Sequence, residues 1–101
     1  MEGASLRITG LRARAGPGIE FLEYRRPGGG RPYPGDAAAN DLVHWQTTVV
    51  ASGVRTVERV GASGVPLVSR GAASPPDTAF GYRRGVIVRD PDGHAVAIIA
   101  H

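Results

Sequence analysis

The chain has 101 residues, enough for one small domain and too few for a multidomain machine. Hydrophobic residues make up 42% and charged residues 21%, which excludes the apolar-poor, highly charged composition of a disordered chain. The formal charge is +3 and all twelve cations are arginine, but they are dispersed, without a like-charge run or interleaved aromatics, so nucleic acid is not an expected partner.

Leu6, Ile8 and Leu11 lie among alternating polar residues and predict a first short strand, closed by the turn signal Ala15-Gly16-Pro17-Gly18. Residues 19–24, Ile-Glu-Phe-Leu-Glu-Tyr, predict a second strand that pairs antiparallel with the first. Residues 27–40 have no periodicity and the densest Gly and Pro content of the chain, and are expected to be a linker. The triple glycine Gly28 to Gly30 is not a phosphate loop, because it runs into Arg31-Pro32 and not into Gly-Lys-Ser/Thr and a helix.

Residues 42–50 form a β-branched and aromatic run. Period-two geometry places Leu42, His44, Gln46 and Thr48 on one face and Val43, Trp45, Thr47 and Val49 on the other. Ser52 is the expected N-cap of a short helix in which Val54, Val57 and Val60 recur at helical spacing, with Gly61 and Gly64 as C-terminal stops. Residues 65–69 predict a brief strand, 71–77 a loop and 82–89 a longer strand. Asp90-Pro91-Asp92-Gly93 is a hairpin turn in which Pro presets the first corner and Gly supplies positive φ. Residues 95–100 return as the last strand. The expected core joins Val43, Trp45, Val49, Val54, Val57, Val60, Val96 and Ile98.

The closing hairpin, Gly85-Val-Ile-Val-Arg-Asp-Pro-Asp-Gly-His-Ala-Val-Ala-Ile-Ile99, resembles that of the vicinal oxygen chelate superfamily, which includes glyoxalase I, bleomycin-resistance proteins and extradiol dioxygenases. Leu42-Val-His-Trp-Gln-Thr-Thr-Val-Val50 is similar to the opening strand of a module in that family, and Gly18-Ile-Glu-Phe-Leu-Glu-Tyr24 to the closing strand of the module before it. The resemblance implies an α+β fold: residues 41–101 a complete βαβββ module, residues 5–26 the last two strands of an incomplete first module, and the whole chain a single domain. It implies a cupped sheet around a small organic molecule.

In metal-dependent members of the family the ligands come from opening and closing strands. By this resemblance Glu20 and His44 occupy ligand positions for a possible divalent metal, whereas the second closing position is Ala97 and the first opening strand is missing. Gln46, Thr48 and Tyr24 are the expected ligand-pocket residues. Each has a plainer alternative: His44 as a hydrogen-bonded strand histidine, Glu20 as a solvated carboxylate, Gln46 and Thr48 as ordinary polar strand positions. Function therefore stands between metal-dependent lyase or dioxygenase chemistry, metal-free small-molecule binding or sequestration, and a truncated inactive product. His94 is expected to stabilise the turn it follows.

With no cysteine, disulfides and thiolate metal sites are excluded. The first ten residues hold no apolar signal core and no stretch is apolar for long enough to span a bilayer, so a soluble cytoplasmic protein without a membrane partner is expected. Residues 6–24 would leave Ile19 and Phe21 without cover in a lone chain, so a homodimer is expected.

Overall fold

The computed structural model describes residues 3–101 and is a small α+β fold of five strands in two sheets with one α-helix. The chain divides into two compact units, Met1–Arg31 and Pro32–His101, with the division inside the glycine- and proline-rich segment at residues 27–40. Among the described residues no helix is long and apolar enough to cross a membrane.

The first unit is an antiparallel hairpin of β1 (Ser5–Leu11) and β2 (Ile19–Arg26). Its register opposes Leu6 to Tyr24, Ile8 to Leu22 and Gly10 to Glu20, which places these six positions on one face. Leu11, Thr9 and Arg7 oppose Ile19, Phe21 and Glu23 on the other, where Arg7 and Glu23 form an exposed ion pair at 3.1 Å. Both faces therefore carry large apolar side chains, and every residue of the two strands is exposed, Ile8 at 61% and Phe21 at 47%.

The second unit is a three-stranded sheet with one helix. The strands are β3 (Gln46–Val50), β4 (Arg84–Arg89) and β5 (Ala95–Ala100), in the order β3-β5-β4. β3 runs parallel to β5, with Gln46, Thr48 and Val50 opposite Ala95, Ala97 and Ile99; β4 runs antiparallel to β5, with Val86 opposite Ile98 and Val88 opposite Val96. A parallel neighbour requires a crossover, and α1 (Val54–Gly61) supplies it. Val57 is fully buried and Val86 is 1% exposed; with Val88 and Ala100 they form the core, flanked by Ala51, Val60, Ala72, Val96 and Ile98. The sheet face made of Val86, Val88, Val96, Ile98 and Ala100 is thus the helix face.

The helix is capped by Gly53 and not by Ser52: no side-chain hydrogen bond closes its N-terminus and no acidic residue occupies its first turn. Ala62 ends it, and Gly64 follows at φ 84°. Residues 65–69 run beside β4 without forming a strand. Pro66 has no N–H to donate, and the Ile87 N–H is met by the Ser69 hydroxyl at 3.0 Å in place of a backbone carbonyl, so the pairing reduces to a single bridge, Leu67 to Val88. Val68 and Arg89 complete this edge through Ile87 and Pro66 carbonyls at 2.8 Å each.

The opening strand is shorter than residues 42–50. The Asp41 carboxylate accepts the Ala38 N–H at 2.7 Å and the Asp41 carbonyl accepts the His44 N–H at 3.0 Å, which closes a turn over residues 41–44. Period-two alternation therefore begins only at Gln46. Val43 and Trp45 fall outside it, 52% and 55% exposed, and Val49 and Val54 are also exposed, so four of the eight expected core residues lie outside the core. Ala100 joins the core cluster in their place, and Ala95 and Ala97 are buried on the other face of β5.

Val57→Asp should abolish folding or cost ~4 kcal/mol or more in urea titrations, since it would bury an unpaired carboxylate against Val86. A variant as stable as the parent would show that the helix does not pack on this sheet.

Candidate functional site

The sheet face opposite the helix carries the expected pocket residues of the second unit. Reading across the three strands, its first row is Arg89, Ala95 and Gln46, its second Ile87, Ala97 and Thr48, and its third Gly85, Ile99 and Val50. Ala95 and Ala97, on the central strand, are buried; Gln46 and Thr48, on the edge strand, are exposed beside them. At the third row the Tyr82 ring lies 3.0 Å from where a Cβ on Gly85 would sit, with Ile99 at 3.4 Å from the same point, so Gly85 is the space Tyr82 occupies. Phe80 meets Tyr82 edge-on at 6.4 Å.

At the other end stands a cluster built on the β4–β5 turn. The Asp90 carboxylate accepts the Asp92 and His94 N–H groups at 3.0 and 2.9 Å, and the Gly93 N–H reaches the Asp90 carbonyl at 3.0 Å with Gly93 at φ 91°. His94 accordingly stabilises this turn, its Nδ1 lying 3.2 Å from the second Asp90 oxygen. Its ring sits between two aromatic side chains, Tyr33 edge-on at 5.7 Å and Trp45 tilted at 4.9 Å. Residues 33–45 thus leave the turn region with Tyr33 and return to it with Trp45, a closed loop held at both ends by one imidazole. Arg89 donates through Nη1 to the Gly93 carbonyl at 2.6 Å, and its guanidinium carbon lies 5.7 Å from the Tyr33 ring centre.

The expected site residues separate by unit. Gln46 and Thr48 share the face opposite the helix, and His44 lies just before β3 in the turn over 41–44, half-buried. Glu20 and Tyr24 belong to the hairpin, on one face of β2; Glu20 stands at the turn end in an open depression with Gly10, Arg12 and Gly18. Among the described residues no three His, Asp or Glu side chains gather as a metal site. Ala97, where a closing-strand carboxylate would have faced the second row, donates nothing, so the donors within the second unit do not fit a resident divalent ion.

Tyr33, Arg89 and Tyr82 are the site residues that sequence reasoning missed. Arg89 and Gly85 share strand parity with Ile87, a signal present in the sequence; the only trace of Tyr33 is an aromatic side chain inside a Gly- and Pro-rich segment. No protein-family model, curated protein or solved structure matches the chain.

Gly93→Ala should cost about 2–3 kcal/mol, because a Cβ there would meet Tyr33 Cβ at 2.7 Å and hold a left-handed backbone. In a Tyr33→Gly background, which removes that Cβ as well as the ring, the same change should cost only ~1–2 kcal/mol, the left-handed penalty alone. Equal costs in the two backgrounds, measured by urea unfolding, would remove Tyr33 from the turn.

Proposed function

We propose that the chain is a small-molecule-binding protein of the vicinal-oxygen-chelate kind, its ligand held without a resident metal on the sheet face opposite the helix. The observation that carries this is the strand order of the second unit. An opening strand parallel to the last strand, a helical crossover, and a penultimate strand antiparallel to the last reproduce three of the four strand positions of a βαβββ module. The fourth is supplied in reduced form by the segment that bridges Leu67 to Val88. The helix covers one sheet face with its core valines; on the other, Gln46 and Thr48 stand exposed on the edge strand beside the buried Ala95 and Ala97, polar groups at the margin of an apolar strand. Metal-dependent lyase or dioxygenase chemistry is the weaker alternative. It would call on Glu20 and His44 from different units and on further donors from a second chain, with Ala97 contributing none.

The partner proposed for the hairpin is a second copy of the chain. Leu6, Ile8, Leu22 and Tyr24 on one face and Leu11, Ile19 and Phe21 on the other are all exposed, and a two-stranded hairpin is marginal in water by itself. At roughly 150–200 Å² per fully exposed large side chain, they present on the order of 600 Å² per chain. A contact through one face would remove roughly half of that from each copy, so a specific interface of ordinary size needs the hairpin's second face or other parts of the partner as well. The hairpin's exposed arginines outnumber its carboxylates, so charge restricts the contact to the apolar faces.

Dialysis against a chelator should leave the urea midpoint and any small-molecule binding unchanged. A loss restored by one divalent ion would instead establish the metal-dependent alternative. Light scattering over a dilution series should show a dimer that dissociates and loses stability together; a folded, monodisperse monomer at low micromolar concentration would overturn the dimer. Ile8→Asp should shift the equilibrium to monomer by tenfold or more.

A further inference from the structure

We propose that the free edge of β3 pairs with β3 of a second copy of the chain, the two strands running antiparallel about a two-fold axis at Thr48. This rests on the proposed self-association and names a contact for it outside the hairpin. The two edges of the three-stranded sheet are not alike. On β4 the chain itself meets the outward-facing backbone N–H groups. Gly85 exchanges both of its groups with Ala73 at 2.9 Å each, the Ile87 N–H donates to the Ser69 hydroxyl at 3.0 Å, and the Arg89 N–H donates to the Pro66 carbonyl at 2.8 Å. The Ile87 carbonyl accepts the Val68 N–H at 2.8 Å. On β3 the Ala51 N–H donates to the Ile99 carbonyl at 2.7 Å. Alternation then turns the backbone groups of Thr47 and Val49 toward β5 and those of Gln46, Thr48 and Val50 outward. Among the described residues no hydrogen bond reaches these outward groups, and Gln46, Thr48 and Val50 are exposed.

Native sheets blunt an edge that stays in water with a charge, a proline or a bulge. β3 has none of these: Gln-Thr-Thr-Val-Val is uncharged and β-branched, and its register with β5 is unbroken. The strand is also complementary to itself. Antiparallel pairing centred on Thr48 opposes Thr48 to Thr48 of the second copy and Gln46 to Val50 of the second copy. These are outward residues and therefore hydrogen-bonded pairs, so the N–H and C=O groups of all three are satisfied in both copies at once. Between them Thr47 meets Val49 of the second copy, and Val49 is 39% exposed in the single chain. Threonine beside threonine and beside valine suits neighbouring strands, and no like charges meet. A slip by one residue would set outward groups against inward ones and lose these bonds. A foreign strand finds no charge on β3 to select it, whereas a second copy carries the matching residue at every position. The product is a six-stranded sheet in the order β4-β5-β3-β3-β5-β4 with both helices on one face.

Amide hydrogen exchange of the full chain, followed by nuclear magnetic resonance at low and high protein concentration, reads the pairing residue by residue. The outward amides of Gln46, Thr48 and Val50 should exchange freely in the monomer and slow by about tenfold or more as the dimer forms, whereas those of Thr47, Val49 and Ala51 are protected at both concentrations. In a mixture of labelled and unlabelled chains, Thr47 Hα should show an intermolecular Overhauser contact to Val49 Hα. Thr48→Lys sets two ammonium groups against each other at the two-fold axis and should weaken the dimer by about tenfold or more. Thr48→Pro removes an N–H that the single chain does not use and should do the same; should it fail to fold, the lysine variant decides. Free exchange of the three outward amides in a dimer would overturn the edge pairing and leave the hairpin contact standing. A monomer at every concentration would overturn both. Protection of those amides that is independent of concentration would assign the edge to a segment of the same chain and overturn the second copy as its occupant.

Discussion

Val57 against Val86 is the contact on which the second unit depends, because these are its only large side chains that are fully withdrawn from water. The helix that carries Val57 has little reason to form by itself. Three of its eight residues are valine, its N-cap is glycine, and eight residues lie below the length at which isolated helices persist. It is helical because Val57 and Val60 bury against β4 and β5. That packing in turn makes the crossover from β3 to a parallel position beside β5, a pairing that no tight turn could make. Helix, crossover and edge strand are thus one cooperative arrangement around a core one layer deep, as expected of a chain too short to bury a generous one.

What the sequence disclosed follows local rules, and what it concealed follows from position in the sheet. The last strand was legible to the residue, since Asp90-Pro91-Asp92-Gly93 sets where the chain returns and Ala95 is the first position that can pair. The opening strand was misjudged by four residues because β-branched and aromatic composition extends to Leu42, while one Asp41 carboxylate closes a turn over the same stretch. Core membership was misjudged by size. Val49 and Val54 look more like core than Ala95 or Ala97, yet β3 is an edge strand and β5 is flanked on both sides, so a methyl group on β5 is better covered than an isopropyl group on β3. For the site, Gln46 and Thr48 were accessible through period-two alternation, whereas Tyr33 reaches the β4–β5 turn from a segment with no pattern to read.

The hairpin poses a different physical problem. Its register places apolar residues on both faces, where an antiparallel pair with one solvated side would show polar residues on that side. Leu6, Ile8, Leu22 and Tyr24 in water forgo roughly 1.5–3 kcal/mol each relative to full burial, against a net stability of about 5–15 kcal/mol for an ordinary domain. Seven such side chains stand exposed in two short strands, and the exposed Arg7–Glu23 pair adds little to hold the strands together.

Alternation along β4 and β5 gives the sheet one face against the helix and one turned away from it. Val86, Val88, Val96, Ile98 and Ala100 face the helix, and any change in their volume is felt by Val57. Gly85, Ile87, Arg89, Ala95, Ala97 and Ile99 face the other way. Substitutions at Gln46, Thr48 or Arg89 do not reach Val57, because the backbone of the same strands lies between them and the helix. The alanines of the central strand weaken the sheet by offering little area to bury. At the two ends of that face stand Arg89, held by the turn, and Tyr82, seated on Gly85.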